Sequence, residues 1–386
     1  MMFDLSHDPV FPALATLTSE DLRRITGASQ VTVLRVRHQP GTRAVLHVAL
    51  GTEAQRREGV IWFLWPEKIT RLARSHPSLQ VDAATGAAFE AFPNDHRMPE
   101  LARFLADRAA VAPQLFGHSA GGDPVLLRYR PGLSATFRWM ADTGVPHFVK
   151  VARKARVQEQ AEVVDALTSQ LEGSPLMVAG VAGYAPDHSA IAYRSALGIP
   201  FDQSVHDQDP TEVTRQTQKL VAALGELWMC RMPMLPILDT EGYLHRAMRC
   251  VEIISTADLE AGNMARSRLR EAAKAMPRLR HCPIHADMKP DHAFMSENLV
   301  TLIDTESLQL GDPDYDLALL DTRLDVAVAE GRLDQDRSGL IRAGIRQASG
   351  PDYGWFLGLC TLHAAKYFAQ RSGPDRRERL HRLLAH

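Results

Sequence analysis

The sequence predicts an α+β fold in two lobes, with strands concentrated before residue 200 and helices after it. Three observations carry that expectation. Residues 31–50 and 125–151 each place β-branched and aliphatic runs on either side of a Pro-Gly pair, which is a hairpin signal. Beyond Pro200, apolar residues recur at helical spacing through several long segments, a pattern that buries one face of a helix. Residues 281–320 then hold a loop, a strand and a helix start in succession, each carrying carboxylates.

At 386 residues the chain exceeds one average domain of roughly 100–200 residues. A hydrophobic fraction of 45% and a charged fraction of 23% supply an ordinary globular core. With 44 basic and 46 acidic residues the net charge is −2, which gives no bulk attraction to nucleic acid or to an anionic membrane. Cys230, Cys250, Cys282 and Cys360 are widely spaced and form no CxxC pair. Neither a zinc site nor a disulfide framework is expected, and the thiols read as reduced, in a cytoplasmic protein. The start, MMFDLSHDPVFPALATL, lacks the basic region and apolar core of a signal peptide. The longest apolar run, residues 59–66, falls far short of the roughly 20 residues that span a bilayer.

In chain order, residues 31–50 read as two strands meeting at Pro40-Gly41. Residues 125–151 repeat the scheme, with Arg37, Pro40, Gly41 and Ala44 answered by Arg128, Pro131, Gly132 and Ala135. The repetition suggests a partial duplication whose first copy is structural. Residues 98–111 between the copies have helical spacing, and Val157, Ala161, Val164 and Leu167 mark one helix face after the second. Strand-like runs at 176–186 and 189–197 lead to Gly198-Ile199-Pro200. Asp209 as N-cap with Pro210 at the first position predicts a helix over 209–232. A second helix is expected over 256–276, and the last forty residues are mostly helical, ending in a basic, solvated face.

The chemistry concentrates in three blocks. His285-Ala286-Asp287 sits in a loop that continues through Lys289 to His292; a strand over 299–303 ends at Asp304, with Glu306 two residues on; Gly311-Asp312-Pro313-Asp314-Tyr315-Asp316 opens a helix. Phosphoryl transfer relies on positioning and on clamping charge spread over phosphoryl oxygens. It needs one carboxylate to orient an acceptor hydroxyl and another, rigidly held at a strand end, for Mg²⁺. Asp287 and Asp304, seventeen residues apart, suit those two tasks. An N-capped helix and an ordinary strand would explain each block singly, but not their conjunction in this order.

The three blocks resemble the His-x-Asp-x-x-x-x-Asn, Ile-Asp and Gly-Asp-Pro-x-x-Asp-Leu-Ala motifs of aminoglycoside phosphotransferases and choline kinases, over roughly residues 125–325. That resemblance implies a protein-kinase-like fold, with a β-rich N-lobe over 111–197 and a helical C-lobe over 198–386; residues 1–110 match none of its motifs and read as an extra N-terminal subdomain. It implies Asp287 as catalytic base, His285 as a brace for the loop and Asp316 as its anchor. Asp304 becomes the principal Mg²⁺ ligand, with His292 and Glu306 beside it. Gly132 and Ser134 would offer backbone N–H groups to the ATP phosphates, Lys150 would contact them, and residues 189–200 would form the adenine hinge. Without the resemblance, Lys150 reads as a surface lysine on an edge strand.

Two positions depart from the family pattern. His292 stands where an Asn usually serves a second metal, and imidazole is a softer ligand than Mg²⁺ prefers. The helix position expected to face Lys150 with a Glu holds Gln160, flanked by Glu159 and Glu162. Lys289, two residues after Asp287, also resembles the catalytic-loop lysine of Ser/Thr protein kinases, which contacts the γ-phosphate. Only six residues separate Asp304 from Gly311, too few for a peptide-binding activation segment. The expected activity is therefore transfer of the ATP γ-phosphate to a hydroxyl of a small amine, sugar or amino alcohol. The alternative is a nucleotide-binding pseudokinase, and a protein kinase ranks below both. Asp207, Asp209, Glu226 and Asp239 are candidates for binding a cationic acceptor, each competing with a role as helix cap or solvated charge.

Overall fold

The computed structural model describes residues 8, 10–39, 41–371 and 375–385. Helices α1 (Ala13–Thr16) and α2 (Ser19–Thr26) precede strands β1 (Val31–Gln39), β2 (Arg43–Leu50) and β3 (Arg57–Phe63). Helix α3 (Pro66–Ser75) then leads to β4 (Gln80–Asp82) and β5 (Ala87–Ala91). The strands form one antiparallel sheet in the order β1-β2-β3-β5-β4. Pro40, half of the expected turn dipeptide, lies outside the described residues.

The same succession follows at once. Helices α4 (Pro99–Ala106) and α5 (Arg108–Phe116) precede β6 (Ala120–Arg130), β7 (Ser134–Ala141) and β8 (Pro146–Ala152). Helix α6 (Val157–Gln170) leads through β9 (Leu176–Val178) to β10 (Val181–Ala185) and β11 (Ala190–Arg194). The second sheet runs β10-β11-β8-β7-β6, which is the order of the first once β9 is set aside. The repetition noticed around the two Pro-Gly turns therefore extends to a whole helix-pair, three-strand, helix, two-strand unit.

Register identifies what the first copy lacks. Ala44 pairs with Phe63 as Ala135 pairs with Val151, so Trp62 occupies the position of Lys150. Trp62 is fully buried and its indole N–H donates to Glu90 Oε2 at 2.9 Å. The core assigns α4 and α5 to the second sheet, since Leu101, Phe104, Val111 and Leu115 pack with Phe137, Trp139 and Val149. Packing thus places these helices with the residues after them, ahead of the expected boundary at residue 110.

The first unit holds the hairpin tip of the second. Asp95 accepts hydrogen bonds from the Gly132 N–H at 2.5 Å and the Tyr129 hydroxyl at 2.9 Å. The Arg37 guanidinium donates to the Pro131 carbonyl. Gly132 has φ +66°, and a Cβ there would meet Trp62 and Arg97 at 3.1 and 3.0 Å; both conformation and space require glycine. Asp95→Ala leaves two buried donors unpaired at roughly 1–3 kcal/mol each. We expect it to lower unfolding free energy by about 2–4 kcal/mol, measured by urea titration; an unchanged midpoint would show that the tip does not depend on Asp95.

The helical lobe begins with β12 (Ile199–Pro200) and helices α7 (Phe201–Ser204), α8 (Pro210–Met229), α9 (Thr240–Ala257) and α10 (Leu259–Ala272). Strands β13 (Cys282–Ile284), β14 (Ala293–Met295), β15 (Val300–Leu302) and β16 (Gln309–Gly311) follow. The lobe ends with α11 (Pro313–Ala329), α12 (Gln335–Ala348), α13 (Tyr353–Ala369) and α14 (Arg376–Ala385). β9 joins this lobe by pairing in parallel with β15, in the sheet β12-β14-β15-β9. Asp209 caps α8 as expected, accepting from the Thr211 and Glu212 N–H groups, and Asp239 caps α9. The helix expected over 256–276 instead starts behind the cap Asp258 and ends at Ala272. Among the described residues, no helix is long and apolar enough to cross a membrane.

Candidate active site

The loop after β13 is fixed from below by α11. Asp316 is fully buried and accepts from the His285 N–H at 2.7 Å and the Ala286 N–H at 2.8 Å. The His285 ring bonds the Ile303 carbonyl at 2.8 Å through Nε2, tying this loop to the end of β15. Ala286 and Asp304 both adopt left-handed backbone, at φ +60° and +61°. Such conformations persist in non-glycine residues only where surrounding bonds enforce them, and they concentrate at functional sites.

These constraints bring the expected residues together. Lys289 Nζ donates to Asp287 Oδ2 at 2.7 Å and lies 3.2 Å from His292 Nε2. His292 Nε2 stands 3.5 Å from Asp304 Oδ2, and Lys150 Nζ donates to Asp304 Oδ1 at 2.8 Å. Lys150 also meets Glu306 Oε1 at 2.9 Å, to which the Tyr193 hydroxyl donates at 3.1 Å. Arg323, unnoticed in the sequence, closes the far end 3.9 Å from Asp287. Burial alone would raise Asp287, yet the adjoining Lys289 ammonium holds its carboxyl well below the usual range. Asp304 is held down likewise, against burial, by Lys150. Burial raises Glu306, with Lys150 pulling the other way.

Three expectations need correction. Glu306 is not among the clustered metal-ligand atoms; its carboxylate is engaged by Lys150 and Tyr193. None of the three α6 candidates bonds Lys150: Glu159 pairs with Arg156 at 3.2 Å and Glu162 accepts from Gln158 at 3.0 Å. Gln160 lines a cavity of about 690 Å³ beside Tyr193 and Glu306. Glu306 thus supplies the carboxylate that the sequence placed on the helix. At the hairpin tip, the Gly132 N–H is bonded to Asp95 and the Leu133 N–H to the Arg130 carbonyl, so neither faces a phosphate. Ser134 is buried opposite Ala152 in the sheet.

The donor set has the geometry of a cation site. Ligand atoms of Asp287, His292 and Asp304 lie within 4.8 Å of one another. Burial, then the neighbouring Lys289 charge, pushes the His292 imidazole down to about 3, so the ring is neutral near pH 7. A neutral ring that accepts from Lys289 turns its lone pair toward Asp304 as well. A cation between two such acceptors reconciles them, and the residues fit a metal ion on that ground.

The same shift has a consequence for stability. Between pH 6.5 and 3 the unfolded chain protonates His292 before the folded one does, so its contribution falls as pH drops below 6.5. His292→Asn removes this term. Acidification from pH 7 to 5 is expected to cost the variant about 2 kcal/mol less than the parent, read by denaturant unfolding at both values. Equal losses would mean that the ring is not buried neutral.

The match to known proteins covers most of this region. The family model described as the phosphotransferase enzyme family matches residues 125–358. Similar solved structures include a macrolide 2′-phosphotransferase from Brachybacterium faecium, 12% identical over 69% of this chain and 91% of that one, with a TM-score of 0.45. An aminoglycoside phosphotransferase from Streptomyces rimosus is 20% identical over 67% of this chain and 97% of that one, with a TM-score of 0.41. An amicoumacin kinase in complex with AMP-PNP, Ca²⁺ and Ami is 13% identical over 72% of this chain and 90% of that one, with a TM-score of 0.45. No curated protein matches the chain.

Proposed function

This chain belongs to the phosphotransferase enzyme family, and on that premise we propose that it moves the γ-phosphate of ATP to a hydroxyl of a small metabolite, with Mg²⁺. The observation that carries this reading is the unbroken run Asp287, Lys289, His292, Asp304, Lys150, with successive contacts of 2.7, 3.2, 3.5 and 2.8 Å. Two carboxylates held ionised alternate with two ammonium groups on a loop and a strand that are both rigidly fixed. Such an arrangement supports positioning and charge clamping, which is most of what phosphoryl transfer asks of a protein.

In this reading Asp287 orients the acceptor hydroxyl. It takes the proton as the new O–P bond forms and the bond to ADP breaks. Its lowered pKa keeps it ready at neutral pH and makes it a weak base, which suits a loose transition state where the proton leaves late. Lys150 and Lys289 neutralise phosphate oxygens. Asp304 and His292 would hold Mg²⁺, whose chemistry is to neutralise charge on the phosphates.

The test is transfer from ATP to a panel of amines, sugars and amino alcohols with Mg²⁺, each reaction repeated with Asp287→Ala. Transfer that disappears in the variant supports the reading. AMP-PNP binding without transfer to any acceptor, and without slow Mg²⁺-dependent ATP hydrolysis, would support a nucleotide-binding pseudokinase instead, the reading that His292 motivates.

A further inference from the structure

The cleft carries positive charge beyond that of Lys150 and Lys289. Arg128 lies opposite Thr136, which lies opposite Lys150, so all three share one face of the second sheet. Arg130, two residues on, repeats that direction at the hairpin base. It feels the carboxylates of Asp304, Asp287 and Glu306 from across the cleft. Arg35 enters from β1 of the first unit and donates to Gln370 Oε1, just beyond α13, at 3.0 Å. Arg130 and Arg128 are among the charges that oppose its own.

Among the described residues, no carboxylate comes within the 4.0 Å of an ion pair to Arg35, Arg128 or Arg130. The Nε atoms of Arg35 and Arg130 are buried without a hydrogen-bond partner. Burial first, and then its arginine neighbours, pushes Arg35 down to about 10. Arg35 and Arg130 are half-buried with Arg128 exposed beside them, and their like charges repel; the Asp304, Asp287 and Glu306 carboxylates offset Arg130 only from beyond ion-pair distance. Guanidinium forks match the oxygens of phosphate and carboxylate. We propose that Arg35, Arg128 and Arg130 form an oxyanion site at the tip end of the cleft, which takes a phosphate or carboxylate group carried by the acceptor.

This rests on the phosphotransferase reading, in which the nucleotide phosphates lie beneath the hairpin beside Lys150. Arg37 donates to the Pro131 carbonyl and so sets β1 against the hairpin tip. Arg35, on the same face of β1, reaches past the tip to the helical lobe. On that reading the acceptor would stand between the hairpin tip and the helical lobe, the gap that Arg35 bridges. Two of the acidic residues expected to bind a cationic acceptor, Asp209 and Asp239, are spent as helix caps.

The experiment titrates inorganic phosphate into the full chain by calorimetry, first alone and then saturated with Mg²⁺ and AMP-PNP. Phosphate is expected to bind the nucleotide-loaded protein, and Arg35→Gln to weaken it at least tenfold while changing AMP-PNP affinity less than twofold. Arg130→Gln reads the same site from another strand. Relief of repulsion should leave the melting temperature of Arg35→Gln unchanged or raised; a lowered one would mark a structural arginine and overturn the assignment. Phosphate that competes with AMP-PNP would assign these cations to the nucleotide and overturn it too. Absent phosphate binding, with AMP-PNP bound, overturns the inference and spares the phosphotransferase reading. Failure to bind AMP-PNP removes both.

Discussion

Asp287→Ala should lower the turnover of phosphate transfer by roughly 10³-fold while Mg²⁺-dependent AMP-PNP affinity changes less than about threefold. The carboxylate is held at its outer edges by Lys289 at 2.7 Å and Arg323 at 3.9 Å. Its backbone is fixed independently through Asp316 and the neighbouring His285 and Ala286. Truncating the side chain therefore removes the group that orients the hydroxyl without collapsing the loop that holds it. Asp287→Asn separates the two parts of the role. An amide still orients a hydroxyl but cannot keep its proton, so Asn should recover part of the lost rate if orientation dominates. Steady-state kinetics with calorimetry for the nucleotide decide the matter. Wild-type turnover in Asp287→Ala would remove it from the reaction, and a parallel collapse of AMP-PNP binding would reassign it to nucleotide binding.

What the sequence revealed follows from which contacts are local. The hairpin of β6 and β7, Lys150 on β8, and the order of Asp287, Asp304 and Asp316 were legible because each is set by a short run of residues. The partner of Lys150 was not. Helical spacing pointed inward at Gln160, but which carboxylate meets an ammonium is decided by how Asp304-Thr305-Glu306 turns after β15. The left-handed backbone of Asp304 sets that turn, and sequence gives no sign of it. Helix α9 went unread although Tyr243, Ala247, Cys250, Val251 and Ile254 lie on one buried face. The hairpin tip shows the same limit: Pro131-Gly132 announced a turn, while the bond from Gly132 to Asp95 spans 37 residues. Likewise the duplication was visible at four matched positions, but its extent emerged only from strand order.

Asp304→Asn should abolish the Mg²⁺ dependence of AMP-PNP binding and weaken that binding by about a hundredfold, a loss of about 2.7 kcal/mol. Asparagine is the informative replacement because position 304 has φ +61°. Asn tolerates left-handed backbone, whereas Ala there would add strain of roughly 1–2 kcal/mol to the loss of charge. With the carboxylate gone, Lys150 keeps Glu306 at 2.9 Å, so the lysine stays anchored and the change isolates the cation site. Asp287→Ala and Asp304→Asn therefore part along different axes, one in turnover at constant affinity and the other in metal-dependent affinity itself. Calorimetry of AMP-PNP with and without Mg²⁺ reads the second directly. If binding stayed equally Mg²⁺-dependent in Asp304→Asn, the cation would have to sit elsewhere. The short contact between Lys150 and Asp304 would then be a structural ion pair at the base of the cleft.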